Sequence, residues 1–261
     1  MAFGLIIIGD EILSGKRADK HFSKVVELLS ARGLQLDWAE IIGDDPARIT
    51  ATLQRTMAGH DIVFCCGGIG ATPDDHTRQC AAAALGVGLE LHPEAKRLIQ
   101  QRITQTLHEA GKPVDLNTPD HLHRLKMGEC PVGSDIIPNA FNMIPGFYQA
   151  RHYFVPGFPV MAEPMITWVL DTHFSHLFHQ HERAEKSLLV FEIAESVLTP
   201  LMETLEADFP SIKVFSLPSV GNHQIRRHIE LGVKGQPAAV EQAFTVIEQE
   251  LDRMKAEYIP I

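Results

Sequence analysis

Two periods of apolar residues alternate along the chain. Leu5–Ile8 is a short unbroken apolar run, as a strand buried on both faces would be. From Asp19 to Arg32, Phe22, Val25, Val26 and Leu29 recur at helical spacing, and Gly33 supplies a stop. Leu36–Ile42 predicts a second strand. Asp45 is placed to cap the following helix, with Pro46 at its first position, and that helix runs to about Ala58. Asp61–Cys66 predicts a third strand. A glycine-rich loop follows, and then a helix that closes near Gly86. There Thr72 suits an N-cap, Pro73 the first helical position and Asp75 the acidic end of a capping box. This β-α-β-α-β-α rhythm predicts an α/β fold whose parallel strands are joined by right-handed crossovers.

Pro93–Ala110 and Pro119–Lys126 predict further helices. The texture then changes. Gly133–Pro159 is rich in Pro, Gly and Asn around short strands, and Pro159–Phe178 returns to helix. His179–Arg183 reads as a linker. Beyond it, Ser187–Ile193 predicts a strand and Thr199–Asp208 a helix with Pro200 in its first turn. Lys213–Pro218 and Gln224–Val233 predict strands, and Pro237–Tyr258 a long amphipathic helix. The organisation expected is therefore a large domain over residues 1–178 and a small β-α-β-β-α domain over 184–261, for oligomerisation or for covering the site.

Composition narrows the classes. With 261 residues, 45% hydrophobic and 21% charged, the chain is ordinary globular material able to bury a sizeable core. The net charge of −10 argues against non-specific nucleic-acid binding, which needs a basic footprint. It leaves room for a small anionic ligand, because backbone amides or a metal reverse the field locally. Asp10 and Glu11 end the first apolar run early, unlike a signal peptide, and no apolar stretch approaches the roughly 20 residues of a membrane span. The four cysteines form no Cys-x-x-Cys pair and read as reduced, buried thiols. The expected location is the cytoplasm, with neither membrane nor nucleic acid as partner.

The candidate chemistry sits at Gly67–Thr77, Gly-Gly-Ile-Gly-Ala-Thr-Pro-Asp-Asp-His-Thr. Gly67, Gly68 and Gly70 follow a buried strand and let backbone N–H groups approach an anion closely. It is no dinucleotide fingerprint, since Pro73 stands where the third glycine belongs. Nor does Gly9–Lys16 make a Walker loop: five residues separate Gly9 from Gly15, and Arg17 follows Lys16. The acids weigh more than the glycines. A carboxylate and a phosphate about 4 Å apart repel by about 4 kcal/mol at an effective dielectric near 20. A helix terminus offsets only about 0.3–1 kcal/mol. A phosphate beside Asp74 and Asp75 therefore calls for a divalent cation, which Mg²⁺ exemplifies by binding through one or two carboxylates plus substrate phosphates. Asp10 and Asp44 follow the first two strands, at the carboxyl ends where parallel sheets bind ligands.

Other features carry less. His173, His176, His179 and His181 lack the cysteines or the His-Glu-x-x-His pattern of a zinc site and read as a polar helix end and linker, and His121 and His123 are similarly isolated. His76 lies inside the glycine loop, in reach of a ligand. Gly232-Val-Lys-Gly235 is a literal Gly-x-x-Gly, but it falls between a strand and a helix rather than between two helices, in an acidic tail.

Gly9-Asp10-Glu11-Ile12-Leu13-Ser14-Gly15, Gly43-Asp44-Asp45, the loop Gly67–Thr77, Pro145-Gly146-Phe147 and Pro156-Gly157-Phe158-Pro159 together resemble the molybdopterin-binding family of molybdenum cofactor biosynthesis proteins. Their nearest likeness is to the N-terminal part of CinA-type competence/damage-inducible proteins. The similarity spans roughly residues 3–175, and the tail resembles the small domain, described as KH-like, that follows in CinA-type proteins. The resemblance implies a three-layer α/β/α domain with a mostly parallel sheet, binding a pterin or nucleotide phosphate in a homodimer or homotrimer. For CinA-type members it also implies metal-dependent cleavage of ADP-ribose at its pyrophosphate, with Mg²⁺, Mn²⁺ or Co²⁺. A molybdopterin carrier without turnover is the alternative. The chain departs from the family at Arg17-Ala18-Asp19-Lys20-His21, where an Asn-containing stretch is usual, and it ends without the amidase domain common in CinA proteins, so amidase activity is not expected.

On this basis Asp10, Asp44 and Asp75 are the expected cation-binding and catalytic carboxylates, with Asp74 beside them. Gly9, Ser14, Gly67, Gly68, Gly70, Ala71, Thr72 and Thr77 are expected to contact phosphate, Lys16 to reach a second phosphate, and Pro145, Gly146, Pro156 and Gly157 to wall the pocket.

Overall fold

The computed structural model of the protein describes residues 2–180, 184–222 and 225–261. Two compact units divide the chain, Met1–Phe178 and His179–Ile261.

The first unit opens with β1 (Phe3–Ile8), the short helix α1 (Asp10–Leu13), α2 (His21–Ser30), β2 (Trp38–Ile42), α3 (Pro46–Met57), β3 (Ile62–Cys66) and α4 (Thr77–Leu85). It continues through β4 (Leu89–Leu91), α5 (Pro93–Glu109), α6 (Pro119–Leu125), a 3₁₀ turn (Lys126–Gly128), β5 (Glu129–Pro131), β6 (Asp135–Ile137), β7 (Gly146–Gln149), β8 (His152–Val155) and α7 (Pro159–His173). A six-stranded sheet of order β2-β1-β3-β8-β7-β6 forms the middle layer. Its first four strands are parallel, and β7 and β6 join antiparallel through hairpins. β4 and β5, too short to show in the apolar pattern, pair in a separate ribbon.

Alternation along each central strand builds the two outer interfaces. Phe3, Leu5, Ile7, Ile62, Phe64 and Cys66 face α2 and α7, where Val25, Leu29, Met165 and Val169 meet them. Ile6, Ile8, Val63 and Cys65 face the opposite layer, where Ile49 and Leu53 of α3 and Cys80 and Ala81 of α4 pack. Cys65 and Cys66 therefore belong to different layers. All four cysteines are buried and unpaired, and burial pushes the Cys130 thiol up to about 11.

Local chemistry ends the elements largely where the residues dictate. The Asp45 carboxylate accepts the Arg48 N–H at 2.7 Å and caps α3, with Pro46 in the first turn. Gly86, left-handed at φ 70°, closes α4. The helix expected from Pro73 starts instead at Thr77. Asp75 does reach back to Thr72, as a capping box would, but the bond closes an isolated turn.

The second unit runs β9 (Ala184–Phe191), α8 (Glu195–Asp208), β10 (Ile212–Ser219), β11 (His228–Gly235), α9 (Pro237–Met254) and β12 (Tyr258–Pro260). Its antiparallel sheet has order β10-β11-β9-β12, so the last helix expectation is shortened by a strand at Tyr258. Pro200 lies in the interior of α8 rather than in its first turn, because the helix begins four residues earlier than expected, at Glu195. Gly232 lies within β11, opposite Phe215 of β10 and Ser187 of β9, and Gly235 ends that strand. The Gly-x-x-Gly is thus ladder backbone rather than a turn. Leu188, Leu231, Leu198 and Ile247 belong to a core of its own. His181 of the histidine run and Gln224 of the expected strand lie outside the described residues. Among the described residues, no helix is long and apolar enough to cross a membrane.

Candidate functional site

The carboxyl ends of β1, β2 and β3 converge on one rim. Gly9 donates its N–H to the Ile42 carbonyl at 3.0 Å and so ties the first two strand ends together. Asp10 and Asp44 then clasp each other. The Asp10 N–H donates to Asp44 Oδ2 at 2.8 Å, and the Asp44 N–H donates to Asp10 Oδ1 at 3.2 Å. Partial burial pushes the Asp44 carboxyl above the ordinary range, and the charges of Asp10, Glu11 and Asp74 press the same way, against the pull of the Asp10 amide. The rim is thus a place where negative charge is held at a cost.

The glycine loop leaves β3 beside it. Gly67 and Gly68 take φ of 113° and 65°, and a Cβ on them would run into the Ile8 carbonyl and the Thr77 hydroxyl. Only glycine permits this approach to β1 and α4. Thr77, wholly buried, takes two loop carbonyls. Its hydroxyl donates to Gly67 O at 3.1 Å and its N–H to Gly68 O at 3.0 Å. Arg78 donates from Nη1 to Gly70 O and from Nη2 to Met127 O, each at 2.9 Å. His123 donates from Nε2 to Ala71 O at 2.9 Å. With the carbonyls of Gly67, Gly68, Gly70 and Ala71 so held, the N–H groups of Gly68, Ile69, Gly70 and Ala71 have no hydrogen-bond partner among the described residues. A row of free amides on a glycine loop can receive an anion.

Asp75 differs from its expected place among cation ligands. Its Oδ2 accepts both the Thr72 N–H at 2.8 Å and the Thr72 hydroxyl at 2.5 Å, and the carboxylate lies against Gly70. Asp74 is exposed at the tip of the same turn, near enough to act on Asp44. Among the described residues no three His, Cys, Asp or Glu side chains gather as a metal cluster, so the trio Asp10, Asp44 and Asp75 does not stand as a closed cage. Ser14 and Lys16 are exposed just beyond α1. Pro145 and Gly146 are buried: a Cβ on Gly146 would meet the Phe154 carbonyl and Met165, which makes this pair packing rather than pocket wall. Gly157 does border the loop, 3.4 Å from the Gly67 Cα by its Cβ direction, and Pro156 precedes it half-buried. Buried His21 holds that border by donating from Nε2 to Gly157 O at 3.1 Å.

The sequence did not point to Arg78, to His21 as a strut, or to His123 as a partner of Ala71. His21 and His123 reach carbonyls 136 and 52 residues away along the chain, which no local pattern encodes. Two surface cavities of about 330 and 340 Å³ lie beside Trp38 and Trp168, away from the loop.

Residues 4–176 match the family described as "Probable molybdopterin binding domain". The chain belongs to this molybdopterin-binding family. Among curated relatives, a CinA-like protein of Citrifermentans bemidjiense is 32% identical over 212 residues, covering 78% of this chain and 47% of that protein. A CinA-like protein of Anaeromyxobacter is 28% identical over 250 residues, covering 88% and 58%. The chain thus spans about half the length of the curated relatives it matches. A crystal structure of the protein CinA from Thermoplasma acidophilum shares the fold at 23% identity and TM-score 0.55, covering 66% of this chain and 98% of that one. The molybdopterin-binding fold accounts for the three layers.

Proposed function

We propose that the rim binds the phosphate of a nucleotide or pterin and, with a divalent cation, hydrolyses a nucleotide pyrophosphate such as ADP-ribose to AMP and ribose 5-phosphate. The observation that carries this reading is the row of free amides from Gly68 to Ala71 beside the clasped carboxylates Asp10 and Asp44. The amides suit phosphate oxygens. The crowded charge around Asp44 suits a hard cation, for which an oxygen donor set of two carboxylates completed by phosphate and water is ordinary for Mg²⁺ or Mn²⁺. Asp10 and Asp44 would hold it, and a cation there polarises the P–O bond and lowers the pKa of a water. Asp75 acts on the loop by fixing Thr72. Thr77 keeps the Gly68 and Ile69 amides turned outward, and Gly157 closes one side of the rim.

Membership in the molybdopterin-binding family favours a second reading, a molybdopterin carrier that uses the same amides without turnover. One assay separates them. Purified protein is incubated with ADP-ribose and Mg²⁺, Mn²⁺ or Co²⁺, and AMP release is followed beside Asp10→Asn and Asp44→Asn. Release that falls at least about a hundredfold in both variants is expected for cation-assisted chemistry. Undiminished release in both removes the pair from the mechanism. No release with any metal, together with tight molybdopterin binding, makes the protein a carrier.

A further inference from the structure

We propose that Arg78 and His123 are positioning residues that set the phosphate loop: Arg78 holds the Gly70 carbonyl so that the Ala71 amide faces the ligand, and His123 holds the next carbonyl, that of Ala71, away from it. This rests on the reading of the loop as a phosphate site. A trans peptide is planar, and its C=O and the next N–H point in opposite directions. Arg78 holds the Gly70 carbonyl, so the Ala71 N–H is turned to the far side. His123 holds the Ala71 carbonyl while Asp75 holds the Thr72 N–H, so that peptide is clamped at both ends. Thr77 does the same for the two peptides that follow Gly67 and Gly68. Without these donors, the loop's glycines would let the peptides rotate and present carbonyl oxygens to an anion.

A second observation sets Arg78 apart from a packing residue. It is 3% exposed, and among the described residues its terminal nitrogens serve the carbonyls of Gly70 and Met127 and its Nε–H has no partner. Burial pulls the guanidinium down to about 10. A buried cation served by carbonyls, with one donor unsatisfied, is costly to the fold and calls for a reason beyond packing. Both residues tie the loop to one segment. His123 belongs to α6, and Met127 to the 3₁₀ turn after it. The stretch Pro119–Gly128 therefore acts as a brace behind the phosphate loop.

The test uses the exposed His123, whose replacement spares the core, with inorganic pyrophosphate and ADP-ribose as probes in the presence of Mg²⁺. His123→Ala is expected to weaken both about fivefold, the effect of one lost hydrogen bond, with an unchanged thermal midpoint. His123→Gln, which keeps an N–H donor, is expected to bind within about twofold of wild type. Arg78→Lys, which cannot span two carbonyls, is expected to lose about tenfold. His123→Ala that binds pyrophosphate as tightly as wild type overturns the inference alone. Wild type that binds neither probe overturns the phosphate-site reading and this inference with it.

Discussion

Asp44 shows how a single side chain carries the electrostatic cost of the rim. Its carboxyl is raised by burial and by the charges of Asp10, Glu11 and Asp74. A group whose folded pKa lies above its unfolded value stabilises the fold fully only below the unfolded pKa, near 3.8, and that stabilisation is lost as pH rises through the folded value. At neutral pH the charged form is therefore the strained one. Asp44→Asn is expected to raise the thermal midpoint at pH 7 by no more than about 2 °C, the scale of a partly screened charge. The gain is expected to vanish below about pH 4 and to come with weaker cation-dependent phosphate binding. Scanning calorimetry of both proteins from pH 3.5 to 8 checks this. A variant less stable than wild type at pH 7 contradicts the account. Asp10, Asp44 and the three glycines were legible because their residue types state their chemistry. Arg78 and His123 were not, because an arginine in a helix and a histidine on another announce nothing until a loop carbonyl is set before them.

At the scale of elements, the hairpin between β7 and β8 is a turn built from unfavourable residues. Ala150 and Arg151 connect the strands in two residues at φ of 49° and 62°. That turn type wants Asn or Gly at both positions, since a Cβ there crowds the backbone. His152 steadies it by donating from Nδ1 to the Ala150 carbonyl at 2.9 Å. Ala150→Asn is expected to stabilise the protein by about 0.5–1 kcal/mol. A urea transition moved to higher midpoint with unchanged slope checks this, and an unmoved midpoint argues that the turn is unstrained. The same hairpin shows why the second half of the sheet was hard to place. β6, β7 and β8 have three or four residues each, too few for a period-2 pattern to emerge. β1 and β3, buried on both faces, announced themselves as unbroken apolar runs.

Across the whole molecule, each unit owns a core. The first has apolar clusters on both faces of its sheet, and the second has one, between its sheet and α8 and α9. Residues 1–178 expressed alone are therefore expected to unfold in one cooperative thermal transition with α/β circular dichroism. A non-cooperative melt of that fragment would show that the first unit depends on the rest of the chain.

The sequence by itself determined the layers and the position of the glycine loop and its carboxylates at the strand ends. Apolar runs and helical spacings act locally, and a glycine or a carboxylate carries its properties wherever it stands. Tertiary structure decided the rest. The helix expected at Pro73 gave way to a turn because Thr77, not Thr72, is the residue that β1 and the loop leave buried against Gly67 and Gly68. Asp75 was thereby drawn to Thr72, while Asp10 and Asp44, 34 residues apart, were brought to clasp each other. Which carboxylates meet, and which carbonyls are turned away from a ligand, depends on where parallel strands end in space, and neither is written in the spacing of residues along the chain.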